Sequence, residues 1–539
     1  MSVEPKNFTP QQKRLLERYV TNTSKSIFAL KNLPEVVKGA LFSKYSRSHL
    51  GLRNLLLNEF LSCEEVIPQE KLCQEISIER ASDFYSRILD NFGDDSIGEL
   101  GGSHLAMEDI SMIAAKYIED CRIGGSPLEK STRFISFDQK KRGKYLFFRE
   151  PRIMSSQLAS EYEASCNCLF DTYKYLIPLL SNYLKNKYVT EKEPLSENFT
   201  ITIKRRVLDC LRGLLPASTL TNLGLFGNGR FFEGLLQKLQ CHNLRELQEI
   251  GRLSFCELSK VISSFIRRAE KNHKHFITYQ DFQQKLKNNL QEYSPLHIAH
   301  EETPKINTEE TPAQVTMIDF DAQAFYKVAA ALVFPYSNKS LAVLQKKMQN
   351  FSLEELRSLF KTTGNCRTNR RHKSPRALEH TFFTFEIIAD FGVYRDLQRH
   401  RMLTQERQQL SCQLGYFLPQ EIVDAQADKL YKNAMEVARK SYEKIVGVFP
   451  EEAQYAVPMG YNIRWYICIN LRSAQWLTEL RSVRHGHPSY RFIAQTIAKD
   501  IEKACPLYHE FLRFVDCEKY SLSQLLQKEE ILQEKSSLC

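Results

Sequence analysis

Three landmarks occur twice, in the same order, along the 539 residues, and this internal likeness limits the fold more than any other feature of the chain. The first is a His followed by a segment of helical pattern that ends in Arg: His104 before EDISMIAAKYIEDCR, closing at Arg122, and His380 before TFFTFEIIADFGVYRDLQRHR, closing at Arg401. The second is a short apolar segment closed by proline, Pro216 in one half and Pro458 in the other. Each proline is followed at the same interval by Asn-x-Arg, Asn228 with Arg230 and Asn470 with Arg472. The third is a helix pattern beyond that Arg, RELQEIGRLSFCELSKVI in the first half and YRFIAQTIAKDIEKA in the second, with apolar residues three and four apart. Such a chain is expected to hold two diverged copies of one architecture.

The local patterns make each copy α+β, a sheet packed with helices. In FFTFEII, Phe383, Phe385 and Ile387 alternate with Thr384 and Glu386, as in a half-buried strand. FGVYRDLQRHR then reads as helix, with Arg395 and Arg399 on one face, and a loop from Met402 to Pro419 ends it. Between Tyr293 and Val315 the run YSPLHIAHEETPKINTEETPAQV is polar, acidic and punctuated by proline, with little to bury. The expected division is a helical extension over 1–80, a first repeat over 81–290, a linker over 291–316, a second repeat over 317–515 and a tail over 516–539.

Composition excludes several classes. Hydrophobic residues at 42% and charged residues at 26% are values of a folded globular chain, not of a disordered or fibrous one. The net charge of +10 favours anionic partners. Fourteen cysteines include no C-x-x-C, which speaks against a zinc ribbon or a thioredoxin-type motif. The amino-terminal MSVEPKNFTPQQKRLLERYV has no signal-type apolar run, and no stretch approaches the roughly 20 apolar residues that span a bilayer, so the expectation is cytoplasmic with no membrane partner. Neither G-x-G-x-x-G nor G-x-x-x-x-G-K-[ST] occurs, so a nucleotide site must be built from side chains. The His485/His487 and His273/His275 pairs lack a third ligand at metal spacing, and no metal is expected.

Arg399-His400-Arg401 puts three potential cations together at a helix end. In its setting, with Glu379-His380, the Phe-Thr-Phe strand and Arg395 before it, this element resembles that of the flavin-dependent thymidylate synthases, the ThyX family. The family pattern continues as S-x-x-E-x-S-x-R-[YF] only in the first half, as Ser126, Glu129, Ser131, Arg133 and Phe134, whereas the first half has Cys121-Arg122-Ile123 in place of Arg-His-Arg. Downstream the division recurs. Arg212 stands four residues before Pro216 but Gln454 before Pro458, while Arg481 and His485 in the second half face Leu239 and Asn243 in the first. Ser411, Gln454 and Asp396 stand where the family carries Arg, Arg and Gln.

The resemblance implies one composite site type. The first repeat would supply a dUMP-phosphate half-site, with Glu129, Ser131, Arg133 and Arg212 as substrate-binding residues, since guanidinium forks and a hydroxyl suit a phosphate. The second would supply the flavin half-site, with Glu379, Arg399, His400, Arg401, Asn470, Arg472 and His485 on FAD. Arg399 and Arg481 would also approach the substrate, and Arg481 would stabilise charge developing on uracil. The implied reaction is reductive methylation of dUMP to dTMP with methylenetetrahydrofolate and NADPH as co-substrates, by a homodimer imitating the family homotetramer. Two rival readings are a decayed nucleotide- or RNA-binding protein and a flavin- and folate-dependent RNA uracil methyltransferase, with nucleic acid the less favoured partner. The basic run Cys366–Arg376 reads as a solvated loop or, secondarily, an access funnel for anionic folate, NADPH or dUMP; a nucleic-acid contact comes last, since no interleaved aromatic platform there supports single-strand binding. Cys505 and Cys412 read as core rather than nucleophiles.

Overall fold

The structure, a computed structural model, describes residues 8–46, 48–61, 95–188, 197–298, 307–484 and 486–520. The chain divides into two compact units: one comprises Met1–Ile110, Ala114–Glu129 and Thr221–Thr303, the other Ser111–Ile113, Lys130–Leu220 and Pro304–Cys539. The halves legible in the sequence are therefore not the compact bodies, because residues 130–220 pack with the second half.

The sheet of the first unit has the order β1 (Gly102–Ser111), β3 (Leu220–Asn228), β2 (Gly125–Glu129), with β2 antiparallel to β3. Leu223 and Leu225 of β3 are buried. β3 runs directly into helix Gly229–Gln240, whose first turn is capped by Asn228: its Oδ1 accepts the Phe231 N–H at 2.8 Å. Helix Arg245–Ile266 packs on that helix, with Gly251 against Leu239 and Gln240, and buries Leu247, Ile250 and Leu258. The early apolar residues also form helices, at Pro10–Tyr19 and Glu35–Tyr45.

The sheet of the second unit repeats this order with one strand added: β4 (Gln314–Phe320), β5 (Phe382–Asp390), β7 (Asn462–Asn470), β6 (Thr404–Arg407). β5 and β7 pair antiparallel from Asn462↔Asp390 to Asn470↔Phe382. The alternation read at Phe383, Phe385 and Ile387 holds, and these side chains meet the buried Ile463, Trp465, Ile467 and Ile469 of β7 on the same face. Each such aliphatic or aromatic side chain contributes about 1.5–3 kcal/mol by leaving water. β7, like β3, enters a helix (Leu471–Arg481) through an Asn cap, Asn470 Oδ1 accepting from Ser473 N at 2.9 Å. Two sheets of like order with like strand–Asn–helix junctions establish the two-repeat layout.

The helices of residues 130–220 join the second unit for visible reasons. Helix Ala159–Tyr188 lies against helix Asp428–Val446, with Lys444 Nζ 2.9 Å from Glu161 Oε2, and Lys187 Nζ is 2.9 Å from Asp424 Oδ2. The two proline segments pair with each other: Ala217 N–H donates to Val457 O at 2.8 Å, and Met459 N–H donates to Leu215 O at 2.9 Å.

Three local expectations need correction. The stretch read as linker is partly regular: helix Lys274–Ile298 runs past Tyr293, strand Asn307–Glu310 follows, and β4 occupies Gln314–Phe320, residues 299–306 lying outside the described set. β4 sits at a sheet edge, where one strand side needs no partner and polar residues are tolerated. In the first half Glu108–Ser111 end β1 and the helix begins only at Met112, sheet pairing overriding the helical spacing. In the second half the helix is short, Phe391–Leu397, so Arg399-His400-Arg401 lies in the turn before β6 rather than on a helix face. Arg395 is buried with Nη1 3.0 Å from Met459 Sδ, while Arg399 points to solvent.

Candidate active site

The second unit gathers charged groups from both halves of the sequence. Arg212, in a 3₁₀ turn after helix Glu197–Leu211, is buried at 4% exposure. Its Nη1 lies 3.0 Å from Asp396 Oδ2 and 3.5 Å from Asp209 Oδ1, while its Nη2 is buried with no hydrogen-bond acceptor. Helix Phe391–Leu397 makes this approach possible at Gly392, where a Cβ would stand 3.0 Å from Arg212 Nε. The same helix begins with Asp390, whose Oδ1 caps Val393 N at 2.9 Å.

Arg133 follows β2 on the segment that crosses into this unit, and its backbone N–H donates to Ser131 Oγ at 3.3 Å. No described residue hydrogen-bonds its guanidinium. Burial works against its charge, but Asp396 and Asp209 outweigh this and raise its pKa. Arg481 closes helix Leu471–Arg481; its Nε–H donates to His400 Nε2 at 2.9 Å and its guanidinium stacks 5.5 Å from the Tyr490 ring centre. Burial lowers the Arg481 pKa, with Asp396 acting against it. Asp396 answers to all three cations: burial alone would raise its pKa, yet Arg212, Arg133 and Arg481 hold it below the usual carboxylate range. Asp390, by contrast, is raised to about 6 by burial despite Arg212.

His400 corrects the expectation of three adjacent cations. It is 7% exposed, and burial together with Arg481 lowers its pKa to about 3. With Nε2 accepting from Arg481, the imidazole is neutral and Nδ1 carries the proton. Arg399 and Arg401 are exposed on either side of it. His487, beside the same cluster, is lowered to about 4 by burial; its Nδ1 accepts from Ser489 N at 3.2 Å and caps helix Pro488–Ala504.

The remaining sequence-derived residues lie elsewhere. Glu129 ends β2 in the first unit, buried, with its Oε2 2.8 Å from Lys116 Nζ, and Glu119 pairs with the same ammonium; its carboxylate serves an internal ion pair. Glu379 is held by Arg376 at 3.0 Å and by Arg472 at 2.7 Å, and these two cations lower its pKa. Arg472 also donates to Ser374 O at 2.8 Å. Asn470, Arg472 and Glu379 are thus at the start of the helix that ends in Arg481, about 15 Å away along eleven residues. His485 lies outside the described residues.

Sequence reasoning missed Asp209 and Tyr490. Asp209 was available in the (i, i+3) spacing to Arg212, the distance at which helical side chains meet; Tyr490 carried no signal of its own. The basic run 366–376 is not simply solvated, since Arg367 is 7% exposed and grips Glu479 with both Nη atoms at 2.8 and 2.9 Å. Burial raises the Cys505 thiol and pushes the Cys412 thiol well up, so both stay protonated. Among the described residues no group of three or more His, Cys, Asp or Glu is placed to hold a metal, and no helix is long and apolar enough to cross a membrane.

Convergent guanidiniums on a doubled α+β scaffold suit an anion, and the chain's relatives give that scaffold a family. The model of the Thy1 family, described as thymidylate synthase complementing protein, matches residues 57–262 and 316–507, and the chain belongs to that family, a thymidylate synthase-like one, twice over. A UPF0159 protein of Chlamydia pneumoniae is 50% identical over 523 residues, 97% of each chain. A flavin-dependent thymidylate synthase of Thermosipho melanesiensis is 28% identical over 167 residues, 26% of this chain and 73% of that one. Among solved structures, a UMP/dUMP methylase PolB from Streptomyces cacaoi matches 38% of this chain and 97% of its own, with a TM-score of 0.31 and 19% identity.

Proposed function

We propose that the protein is a flavin-dependent thymidylate synthase that converts dUMP to dTMP with methylenetetrahydrofolate and NADPH, using one composite site built from both repeats. The observation that carries this reading is the meeting, within one compact unit, of Arg133 and Arg212 from the first half with Arg399, His400 and Arg481 from the second. The losses in each repeat are complementary, and what survives converges.

Arg133, with the Ser131 hydroxyl, would take the phosphate, since its guanidinium has no hydrogen-bond acceptor among the described residues and is held charged by Asp396 and Asp209. Arg212 would back this site from below as a buried positive charge. Arg481, oriented by the neutral His400, would present its free guanidinium edge to the uracil carbonyls and stabilise charge that builds there. The residues present also fit a flavin nucleotide: Arg399 and Arg401 offer exposed donors beside the site, and Asn470 with Arg472 lie one helix length away, a separation suited to an extended dinucleotide. Bound FAD would supply the reducing equivalents that turn the transferred one-carbon unit into a methyl group. Two chains would associate to bring four repeats together.

The test is the visible spectrum of the purified protein before and after FAD and then dUMP. Flavin bands perturbed by dUMP support the shared site, and a protein that stays colourless with added FAD sinks the reading. In folded variants, Arg133→Ala should lose dUMP with flavin retained, whereas Arg401→Ala should weaken flavin with dUMP retained; equal loss of both ligands in both variants overturns the division of labour.

A further inference from the structure

Among the described carboxylates, Asp396 is the one that answers to all three of the guanidiniums Arg133, Arg212 and Arg481. It lies 3.0 Å from Arg212, and both Arg133 and Arg481, which make no hydrogen bond to any described carboxylate, respond to its charge. Of the other charged groups around it, Asp390 caps its own helix and Arg395 lies on Met459, while Asp209 is a second carboxylate of the cluster, 3.5 Å from Arg212 and acting on Arg133 as well. His400 and His487 are held neutral, and Tyr490 packs on Arg481. Arg212 Nη2 still lacks an acceptor, so the cluster keeps donor capacity that Asp396 and Asp209 do not fill.

Three guanidiniums, Arg212 buried and Arg133 and Arg481 half-buried, repel one another unless an anion stands near them, and at the protein that repulsion is screened less than in solvent. We propose that Asp396 is the internal counter-anion of the site. It stands 3.0 Å from Arg212, where a ligand's phosphate must compete with it, and so it weakens the site for every phosphate and leaves bound those ligands that bring further contacts of their own. This inference rests on the reading that the cluster receives a phosphate. An incoming phosphate offers the same forks a stronger, more highly charged acceptor, but it enters beside a carboxylate that is already ionised. That like charge costs affinity for any phosphate, and a ligand whose base adds contacts of its own overcomes the cost while inorganic phosphate does not. Where the family pattern carries a neutral Gln, this chain carries the competing charge itself.

The experiment is calorimetric titration of the full chain, wild type against Asp396→Asn and Asp396→Gln, with inorganic phosphate, dUMP and deoxyuridine as separate probes. Removing the carboxylate should tighten inorganic phosphate at least tenfold and leave deoxyuridine unchanged. Melting temperature as a function of phosphate concentration gives a second readout if one variant is poorly stable, and it should climb more steeply in the variants than in the wild type. A folded variant whose phosphate affinity is equal to or weaker than wild type overturns the assignment. A gain for phosphate in a protein whose flavin spectrum never responds to dUMP supports Asp396 as counter-anion while rejecting the thymidylate synthase reading.

Discussion

His400 couples acidity to the stability of the second unit, and the size of the effect follows from its surroundings. Its folded-state pKa is about 3 because burial and Arg481 oppose a second positive charge; in the unfolded chain it titrates near 6.5. The folded state therefore binds fewer protons than the unfolded state below pH 6.5. The stabilisation is fully present above that value and is lost as pH falls toward 3. At pH 5 the loss amounts to about 2 kcal/mol for this residue. His487, lowered to about 4, adds a further loss of about 2 kcal/mol in the same range. His400→Gln keeps an acceptor for the Arg481 Nε–H and cannot be protonated. Unfolding by urea at pH 7.5 and pH 5, followed by the fluorescence of Trp465 and Trp476, reads the second unit because both tryptophans lie in it. Asp390, raised to about 6, takes up its proton in the fold over the same range and returns about 1 kcal/mol, so the wild type should lose about 3 kcal/mol between the two pH values and the variant about 2 kcal/mol less than the wild type. Equal acid losses in the two proteins would show that His400 is charged or exposed in the fold, and the account of Arg481 orientation would go with it.

Three further outcomes follow from buried charges and caps. Arg367→Met leaves Glu479 ionised and fully buried without its bidentate partner, a loss of about 3–5 kcal/mol in denaturant unfolding, and the double variant Arg367→Met with Glu479→Leu should lose less than the single one. Lys116→Met strands Glu119 and Glu129 together in the first unit; a similar loss of about 3–5 kcal/mol is expected, and it should shrink at pH 4, where carboxylates take up protons. Asn470→Ala removes an N-cap and should cost about 1 kcal/mol in thermal unfolding, whereas Asn470→Ser should retain most of it.

The parts of the fold that the sequence made legible were those written in local periodicity. The alternation at Phe383, Phe385 and Ile387 specified β5 because one face of that strand is buried and the other is not, and Asn228 and Asn470 marked the strand–helix junctions at equal distances from their prolines. Charge identity was legible too, since Arg133, Arg212, Arg399 and Arg481 were picked out by type and place. What stayed hidden depended on three-dimensional neighbours. Nothing at His400 announces that Arg481, 81 positions later, takes its lone pair and keeps it neutral. Nothing in Arg-Val-Leu-Asp-Cys-Leu-Arg says that Arg212 is turned inward onto a carboxylate 184 positions away. The compact units were hidden for the same reason: residues 130–220 carry the repeat pattern of the first half, but their helix partners lie in the second.

That exchange of helices gives a physical reason for the uneven survival of motif residues. In the first repeat the cation five positions beyond the end of β1, Lys116, is fully buried and neutralised by Glu119 and Glu129, so the Glu of the S-x-x-E-x-S-x-R run is spent on internal structure. Five positions into the matching helix of the second repeat, Arg395 is buried against a methionine, leaving Asp396 next to it to face Arg212. Ser131 and Arg133 stand only two and four residues past Glu129, yet they fall on the other side of the unit boundary and join Arg212, Arg399 and Arg481 there. A motif residue that lies outside the gathered cluster is free to serve packing instead, as Glu129 does in its ion pair with Lys116. On this account, restoring the missing residues singly should add nothing: Gln454→Arg would bury a new cation in place of an amide that now accepts from Leu410 N, and should lower stability without raising affinity for phosphate. A gain of phosphate binding in that variant would show that the second repeat retains a latent site of its own.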